Sequence, residues 1–290
     1  MRSLVSVAPS VRAQPRPRRR VPIVLALRYL TLLLVGGTMT VPFVWMVATS
    51  LKAPGTALTM PPEFIPRPPT LDSYRRVAMA VPLLQMFRNS VIVTMITVAG
   101  QLITSALSAY AFARMRWRGR DAVFLFYLIT LMVPAQVTIT PLFILMQRLG
   151  WVNTYQGLIA PGLVSVFGTF LLRQAMLTIP REYEEAAFLD GATHWTVFRQ
   201  VVLPMIRTSL ATLAVFAVMG SWNNFLWPLF ITRDEQLMTL PVGLSLLHGR
   251  YTVEWSMIMA GAVINVLPIM LVYLTAQRAF VRGIALSGLK

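Results

Sequence analysis

The chain has 290 residues, 56% of them hydrophobic and only 12% charged, and its mean hydropathy is positive. Soluble domains carry about twice that share of charge, so a soluble globular fold is excluded. The net charge of +16 sits between apolar runs and reads as lipid topology, with no nucleic-acid partner implied; zero cysteines exclude disulfides and thiolate metal sites.

Residues 1–20 read as a disordered basic tail, with Pro15 and Pro17 among Arg16, Arg18, Arg19 and Arg20. Such a run prefers the cytoplasmic side and can touch anionic membrane lipid. A signal peptide is the competing reading, but the following apolar run is too long and no small-x-small cleavage site follows. Residues 21–290 are therefore read as a single transmembrane domain that begins with an uncleaved span.

Six intervals contain no charged residue: Tyr29–Leu51, Asn89–Ala113, Ala122–Gln147, Leu149–Leu172, Thr208–Thr232 and Trp255–Gln277. Each has 23–26 residues, enough to cross a hydrocarbon core of about 30 Å. The expected fold is thus all-α with six transmembrane helices. With the N-terminus inside, the tail, Arg114–Asp121, Arg173–Arg207 and the C-terminus hold 17 Lys or Arg, against 7 in the outer loops. That bias puts both termini in the cytoplasm.

The first outer loop, Lys52–Gln85, is rich in proline and reads as an extended surface segment. Ser105, Ala109 and Ala113 form a row of small residues that lets helices pack closely. Pro134 and Pro141 are expected to kink or interrupt the third span, which is tolerable at depth only where protein or a cavity resupplies hydrogen bonds. Asn153 and Gln156 have the spacing of a capping box before the fourth span.

The polar island Pro180–Pro204 holds four of the ten acidic residues, Glu182, Glu184, Glu185 and Asp190. Pro180 suits the first position of a helix, and the glutamates then sit where the helix macrodipole favours negative charge. Tyr183, Ala186, Ala187 and Asp190 are spaced to share a face that the alanines leave shallow. Gly191 is a natural C-cap. A second amphipathic helix follows, with Trp195, Phe198 and Val202 on one side and Pro204 at its end. Helix, glycine elbow and helix make a docking surface on the cytoplasmic side; the competing reading is a membrane-surface segment.

In the fifth span, Ser221, Trp222, Asn223, Asn224 and Trp227 support two readings: a pathway in which indoles stack on sugar rings while amides bind hydroxyls, or interhelical glue near the outer interface. His194 and His248 read as ordinary surface histidines. The two lysines, Lys52 and Lys290, each follow a leucine, so a G-K-[ST] phosphate loop is impossible. No acid, lysine, arginine or histidine lies within the six spans, where ion-coupled transporters commonly keep relays. Energy is expected to arrive from outside, at the cytoplasmic loop, and the chain is expected to need no cofactor and to be no enzyme itself.

Glu185-Ala186-Ala187, Gly191 six residues after the glutamate, and Val202-Leu203-Pro204 resemble the EAA loop of permease subunits in bacterial ABC importers. Ser50-Leu51-Lys52, Arg88-Asn89-Ser90, Ala109 to Arg114, Leu131 to Pro134, Asn153-Thr154-Tyr155, Ser221-Trp222-Asn223, Leu240 to Gly243 and Phe280 to Gly283 extend the resemblance to carbohydrate permeases of the maltose type, smaller subunit. The resemblance implies a type I importer transmembrane domain in a bacterial or archaeal cell membrane. It implies a heterodimer with a second homologous permease, two cytoplasmic ATPase subunits that bind ATP and magnesium, and an extracytoplasmic solute-binding protein. Glu184, Glu185, Ala186, Ala187, Asp190, Gly191, Ala192, Leu203 and Pro204 become coupling residues within the loop 173–207. The segment bearing Arg233, Asp234, Glu235, His248 and Arg250 corresponds to one that reaches the binding protein. A permease for a non-sugar solute and a self-contained secondary transporter are the alternatives; against the second stand the charge-free spans and the lack of a detectable inverted repeat.

Overall fold

A computed structural model describes residues 22–57, 64, 66–250 and 254–287; the basic tail lies outside them. All regular structure among these residues is helical, and the chain forms two units, residues 1–45 and 46–290. In chain order the helices are α1 (Pro22–Ser50), α2 (Asp72–Ala80), α3 (Leu83–Ala113), α4 (Arg120–Ile129), α5 (Ala135–Arg148), α6 (Tyr155–Ile159), α7 (Val166–Leu177) and α8 (Glu182–Leu189). Then come α9 (His194–Val197), α10 (Leu203–Met205), α11 (Arg207–Trp222), α12 (Leu226–Ile231), α13 (Leu240–Ser245), α14 (Leu247–Arg250) and α15 (Trp255–Ser287).

In the described residues, four helical stretches are long and apolar enough to cross a membrane without a sharp bend: Val24–Ser50, Leu83–Ala113, Tyr155–Leu177 and Trp255–Thr275. Two further pairs qualify only if each bent pair counts as one span. Residues 120–132 and 135–148 meet at 100°, because Pro134 supplies no N–H and forces Val133 into an extended conformation (ψ 116°). Pro141, by contrast, sits inside α5 without interrupting it. Residues 194–205 and 207–222 meet at 78°.

The fifth charge-free interval is not one helix to Thr232. α11 stops at Trp222, where the Asn223 side-chain amide donates to Met219 O at 3.0 Å and closes the last turn. α12 is a separate piece of six residues. The first outer loop also departs from an extended strand of chain: α2 buries Ser73 and Val77, and Ser50 Oγ lies 2.7 Å from Tyr74 OH. The cap of α6 is Thr154, whose Oγ1 accepts from Gly157 N, rather than Asn153. Asn153 takes a left-handed φ of 57° and its Oδ1 accepts from Arg233 N and Asp234 N, so it ties the last outer segment down.

The row of small residues on α3 does what its spacing implies. Ser105, Ala109 and Ala113 are buried, and α3 and α7 pack along it. A Cβ at Gly168 on α7 would lie 2.5 Å from Ser105 Oγ and 3.0 Å from Leu213 Cδ1, so glycine is what permits the approach. Where the fourth span breaks between α6 and α7, α3 resupplies the freed carbonyls. Gln101 Nε2 donates to Gly162 O and Thr104 Oγ1 to Leu163 O, both at 2.8 Å.

Gly168→Val is expected to force α3 and α7 apart at a cost of about 1–3 kcal/mol. Gly220→Ala, where nothing lies within 4 Å of the new carbon, leaves stability unchanged or slightly higher. Thermal unfolding midpoints in detergent compare the two.

Candidate functional site

The polar island opens with one short helix held from behind. Arg114, the C-cap of α3, is withdrawn from solvent, with 5% of its side chain exposed. Its Nη2 donates to Met176 O at 2.5 Å and to Ile179 O at 2.8 Å, carbonyls at and just beyond the end of α7. Its Nε stands 2.8 Å from Glu184 Oε1, a carboxylate equally buried at 8%. The Nε contact is between charges rather than a well-aimed hydrogen bond. Burial pushes the Glu184 carboxyl above the usual range, while Arg114, then Arg181 and His194, pull it back.

This ion pair rearranges the expected loop. α8 begins at Glu182 with Arg181 as N-cap, and Pro180 stays outside it. The Ile179 carbonyl, which would accept the first intrahelical bond of a helix starting at Pro180, accepts from Arg114 instead of from the α8 backbone. Glu184 turns inward instead of standing at the solvated N-terminus. Ala187, half-buried, follows it onto the core face, while Tyr183, Glu185, Ala186 and Asp190 remain exposed. The expected common face of Tyr183, Ala186, Ala187 and Asp190 is therefore split. Arg114 is the residue that sequence reasoning missed as part of the site. Its only local sign is an arginine directly after a row of small residues.

The elbow is a Schellman motif. Gly191 has φ +83°, its N–H donates to Phe188 O at 3.0 Å, and Ala192 N–H donates to Ala187 O at 2.9 Å. Thr193 then caps α9, its Oγ1 accepting from Thr196 N. The next helix does not end at Pro204. Residues 198–202 widen into a π-helix, and the chain stays helical through Pro204 to Met205. The wider turn tolerates a residue without an N–H. Its buried face is Val197, Phe198, Val202 and Ile206, whereas Trp195 is 60% exposed, so Trp195 leaves the face expected for it. Leu203 is half-buried and Pro204 exposed. Together with Tyr183 (57%) and Leu189 (89%), Trp195 makes an apolar outer surface on this loop.

A second region surrounds the end of α11. Ser221, Asn224 and Trp227 line a cavity of about 220 Å³, joined by Thr97 and Gln101 of α3 and Thr138 of α5. These last three were not expected from sequence, because single hydroxyls and one amide in apolar runs give no pattern. Trp222 and Asn223 are not in its lining. The Trp222 indole donates to Asn265 O at 3.1 Å and meets Phe87 edge-on, and the Trp227 indole donates to Gly157 O at 2.9 Å. Both N–H groups are thus spent on helix packing, while Trp227 still lines the cavity.

The segment after α12 is anchored rather than free. Asn89 Nδ2 donates to Gln236 O and Met238 O, and Ser90 Oγ accepts from Leu240 N. A Cβ at Gly243 would lie 2.0 Å from Met86 Sδ, so α13 lies tight on α3. Arg233, Asp234 and His248 are exposed and Glu235 is half-exposed; the Arg250 side chain lies outside the described residues. Glu254 pairs with Arg76.

Helices interrupted around a half-polar cavity, with a stapled helix outside the spans, define a membrane transport component. The chain belongs to the family of binding-protein-dependent transport system inner membrane components, whose pattern matches residues 101–286. It is therefore a permease subunit of the inner membrane, not an enzyme in its own right. It is 36% identical to the arabinooligosaccharides transport system permease protein AraQ of Halalkalibacterium halodurans, over 84% of this chain and 86% of the relative. It is 32% identical to the lactose transport system permease protein LacG of Rhizobium radiobacter, over 92% and 96%. The sn-glycerol-3-phosphate transport system permease protein UgpE of Salmonella typhi is 38% identical over 71% and 74%. A chain of a bacterial ABC transporter that imports alginate shares the fold, with a TM-score of 0.80 at 23% identity, covering 92% of this chain and all of that one.

Two expectations follow from the loop. Removing one member of the buried pair, as in Glu184→Leu, costs about 3–5 kcal/mol, and Arg114→Met/Glu184→Leu together recovers much of that; unfolding midpoints close the cycle. Because the folded carboxyl is raised, its contribution to stability is fully present below the ordinary glutamate range and is lost as pH rises through the raised value. Glu184→Gln removes that pH dependence. Separately, Gly191→Val strains a left-handed position by about 1–2 kcal/mol, read as roughly tenfold faster hydrogen exchange at the Ala192 amide.

Proposed function

We propose that this chain is one of two permease subunits in an ATP-driven importer of a sugar or sugar-like solute. Its α8 is the coupling helix that receives motion from a cytoplasmic ATPase. The supporting observation is the latched helix itself: Glu184 and Arg114 fix α8 from inside while Glu185, Ala186, Asp190 and the apolar Tyr183, Leu189 and Trp195 stay outward. A short helix held rigidly can transmit a push, and the turn to which it is latched carries Arg114, Arg116, Arg118 and Arg120, which favours the cytoplasmic side. In this reading the chain crosses the membrane six times, each bent pair counting once, with both termini inside.

The solute class comes from the relatives, whose names specify arabinooligosaccharides, lactose and glycerol phosphate. A cavity lined by Thr97, Gln101, Thr138, Ser221 and Asn224 supports passage of a hydroxyl-rich solute, since each of these groups can exchange hydrogen bonds with hydroxyls. The second permease, two ATPases that bind ATP and magnesium, and an extracytoplasmic binding protein complete the assembly. A structure of the alginate transporter with its sugar-bound periplasmic protein has the same fold, with a TM-score of 0.63. The anchored segment Arg233–Glu254 is the surface that would meet such a protein.

The chain has no native cysteine, so single cysteines report cleanly. In the assembled complex, Ala186→Cys and Leu189→Cys are expected to crosslink to an ATPase subunit, and Asp234→Cys is not. No product at either α8 position would remove the docking assignment. ATP-dependent uptake of an oligosaccharide by the reconstituted complex, lost without the binding protein, tests the transport assignment.

A further inference from the structure

Beside the turn from α3 to α4 lies a broad, open surface pocket of about 430 Å³ lined by Arg116, Trp117, Arg120, Asp121 and Arg181 among others. Three guanidinium groups face one carboxylate there. That carboxylate is already engaged: Arg120 Nε lies 3.0 Å from Asp121 Oδ1, and Arg173 reaches the same oxygen at 3.7 Å. Arg116 and Arg181 have no ion-pair partner among the described residues. Trp117 is 41% exposed, its ring 5.8 Å from Phe112. Ala122, also in the lining, starts an apolar stripe on α4. Phe126 and Ile129 follow at helical spacing and are 71% and 45% exposed.

We propose that this pocket binds the phosphodiester headgroup of an anionic phospholipid, with an acyl chain laid along Ala122, Phe126 and Ile129. Guanidinium groups match phosphate oxygens in fork geometry, and basic pockets between spans on the cytoplasmic side suit such headgroups. Tryptophan is at home at that depth. A soluble phosphate would use the arginines but not the exposed apolar stripe beside them. The site has a consequence for the loop. Arg181 is the N-cap of α8 and its carbonyl accepts from Glu184 N and Glu185 N, so headgroup occupancy bears directly on where α8 starts. The assignment stands independently of which solute is carried.

The test uses the full chain in phosphatidylcholine vesicles titrated with brominated phosphatidylglycerol. Quenching of Trp117 is obtained by difference from Trp117→Phe. Wild type is expected to be quenched by brominated phosphatidylglycerol at several-fold lower mole fraction than by brominated phosphatidylcholine. Arg116→Gln and Arg181→Gln each reduce that preference roughly five-fold without changing quenching by brominated phosphatidylcholine, which reports an intact fold. Arg118→Gln, the same charge change outside the lining, leaves most of the preference. An equal loss in Arg118→Gln would mean a diffuse surface potential and overturn the site. Displacement of the lipid by millimolar inorganic phosphate would reassign it to a soluble anion. Equal quenching by the two lipids in wild type would overturn the proposal. If Arg116→Gln and Arg181→Gln then also lost ATPase association, the arginines would belong to a protein contact.

Discussion

A guanidinium taken out of water must be neutralised and hydrogen-bonded, and Arg114 meets that demand by drawing three pieces of chain to one point. Its nitrogens face the carbonyls of Met176 and Ile179 and the carboxylate of Glu184. The two carbonyls lie at the negative end of α7, where a cation is favoured by the helix macrodipole as well as by direct contact. Everything about the attitude of α8 follows from this junction: where it starts, which glutamate it turns inward, and which residues it leaves outside. Burial still raises the Glu184 carboxyl despite the nearby guanidinium groups of Arg114 and Arg181, so the attraction does not fully offset the cost of dehydration. Such a pair sets register more than it adds stability.

The same accounting of polar groups explains the broken helices. In hydrocarbon, a carbonyl freed by a helix break has no water to turn to. α3 answers from the side with Gln101, Thr104 and Ser105, whose side chains reach the carbonyls of Gly162, Leu163 and Ser165. The small residues that follow on α3 allow the close approach that these short bonds require. One helix thus supplies the packing surface, the hydrogen bonds for its neighbour's break and, at its end, the arginine that holds α8. The half-polar cavity lies beside this break, bounded by Thr97 and Gln101 on α3 and by Ser221 and Asn224 where α11 stops.

Several of these features were legible in the chain and several were not, for local reasons. The glycine elbow was readable because a left-handed C-cap is a one-residue property, and Gly191 satisfies it alone. The break at Pro134 was readable because a missing N–H cannot be restored by context. The end of α11 was misread, since counting charges cannot see an asparagine closing its own helix, and two adjacent amides passed as part of an apolar run. Pro204 was misread in the opposite sense: a proline signals a stop, but a widened turn preceding it carried the helix through. Trp222 and Trp227 looked available for a sugar because their residue type permits it. Only the positions of Asn265 and Gly157 reveal that both indole N–H groups are committed to neighbouring helices.

By itself the sequence determined that the chain lives in a membrane, how many apolar stretches it has, which connecting segments carry arginines and that a capped helix stands among the polar residues. Those are properties of composition, spacing and single-residue backbone preference, and each is written within a window of a few turns. The tertiary structure alone decided that Glu184 rather than Glu185 is the inward carboxylate, that Arg114 is its partner and that Thr97, Gln101 and Thr138 share a cavity with Ser221 and Asn224. These depend on groups far apart in the chain arriving at the same point. Charge neutralisation and hydrogen-bond satisfaction in a dry interior act on spatial neighbours, and no periodicity in one stretch can register what another will bring.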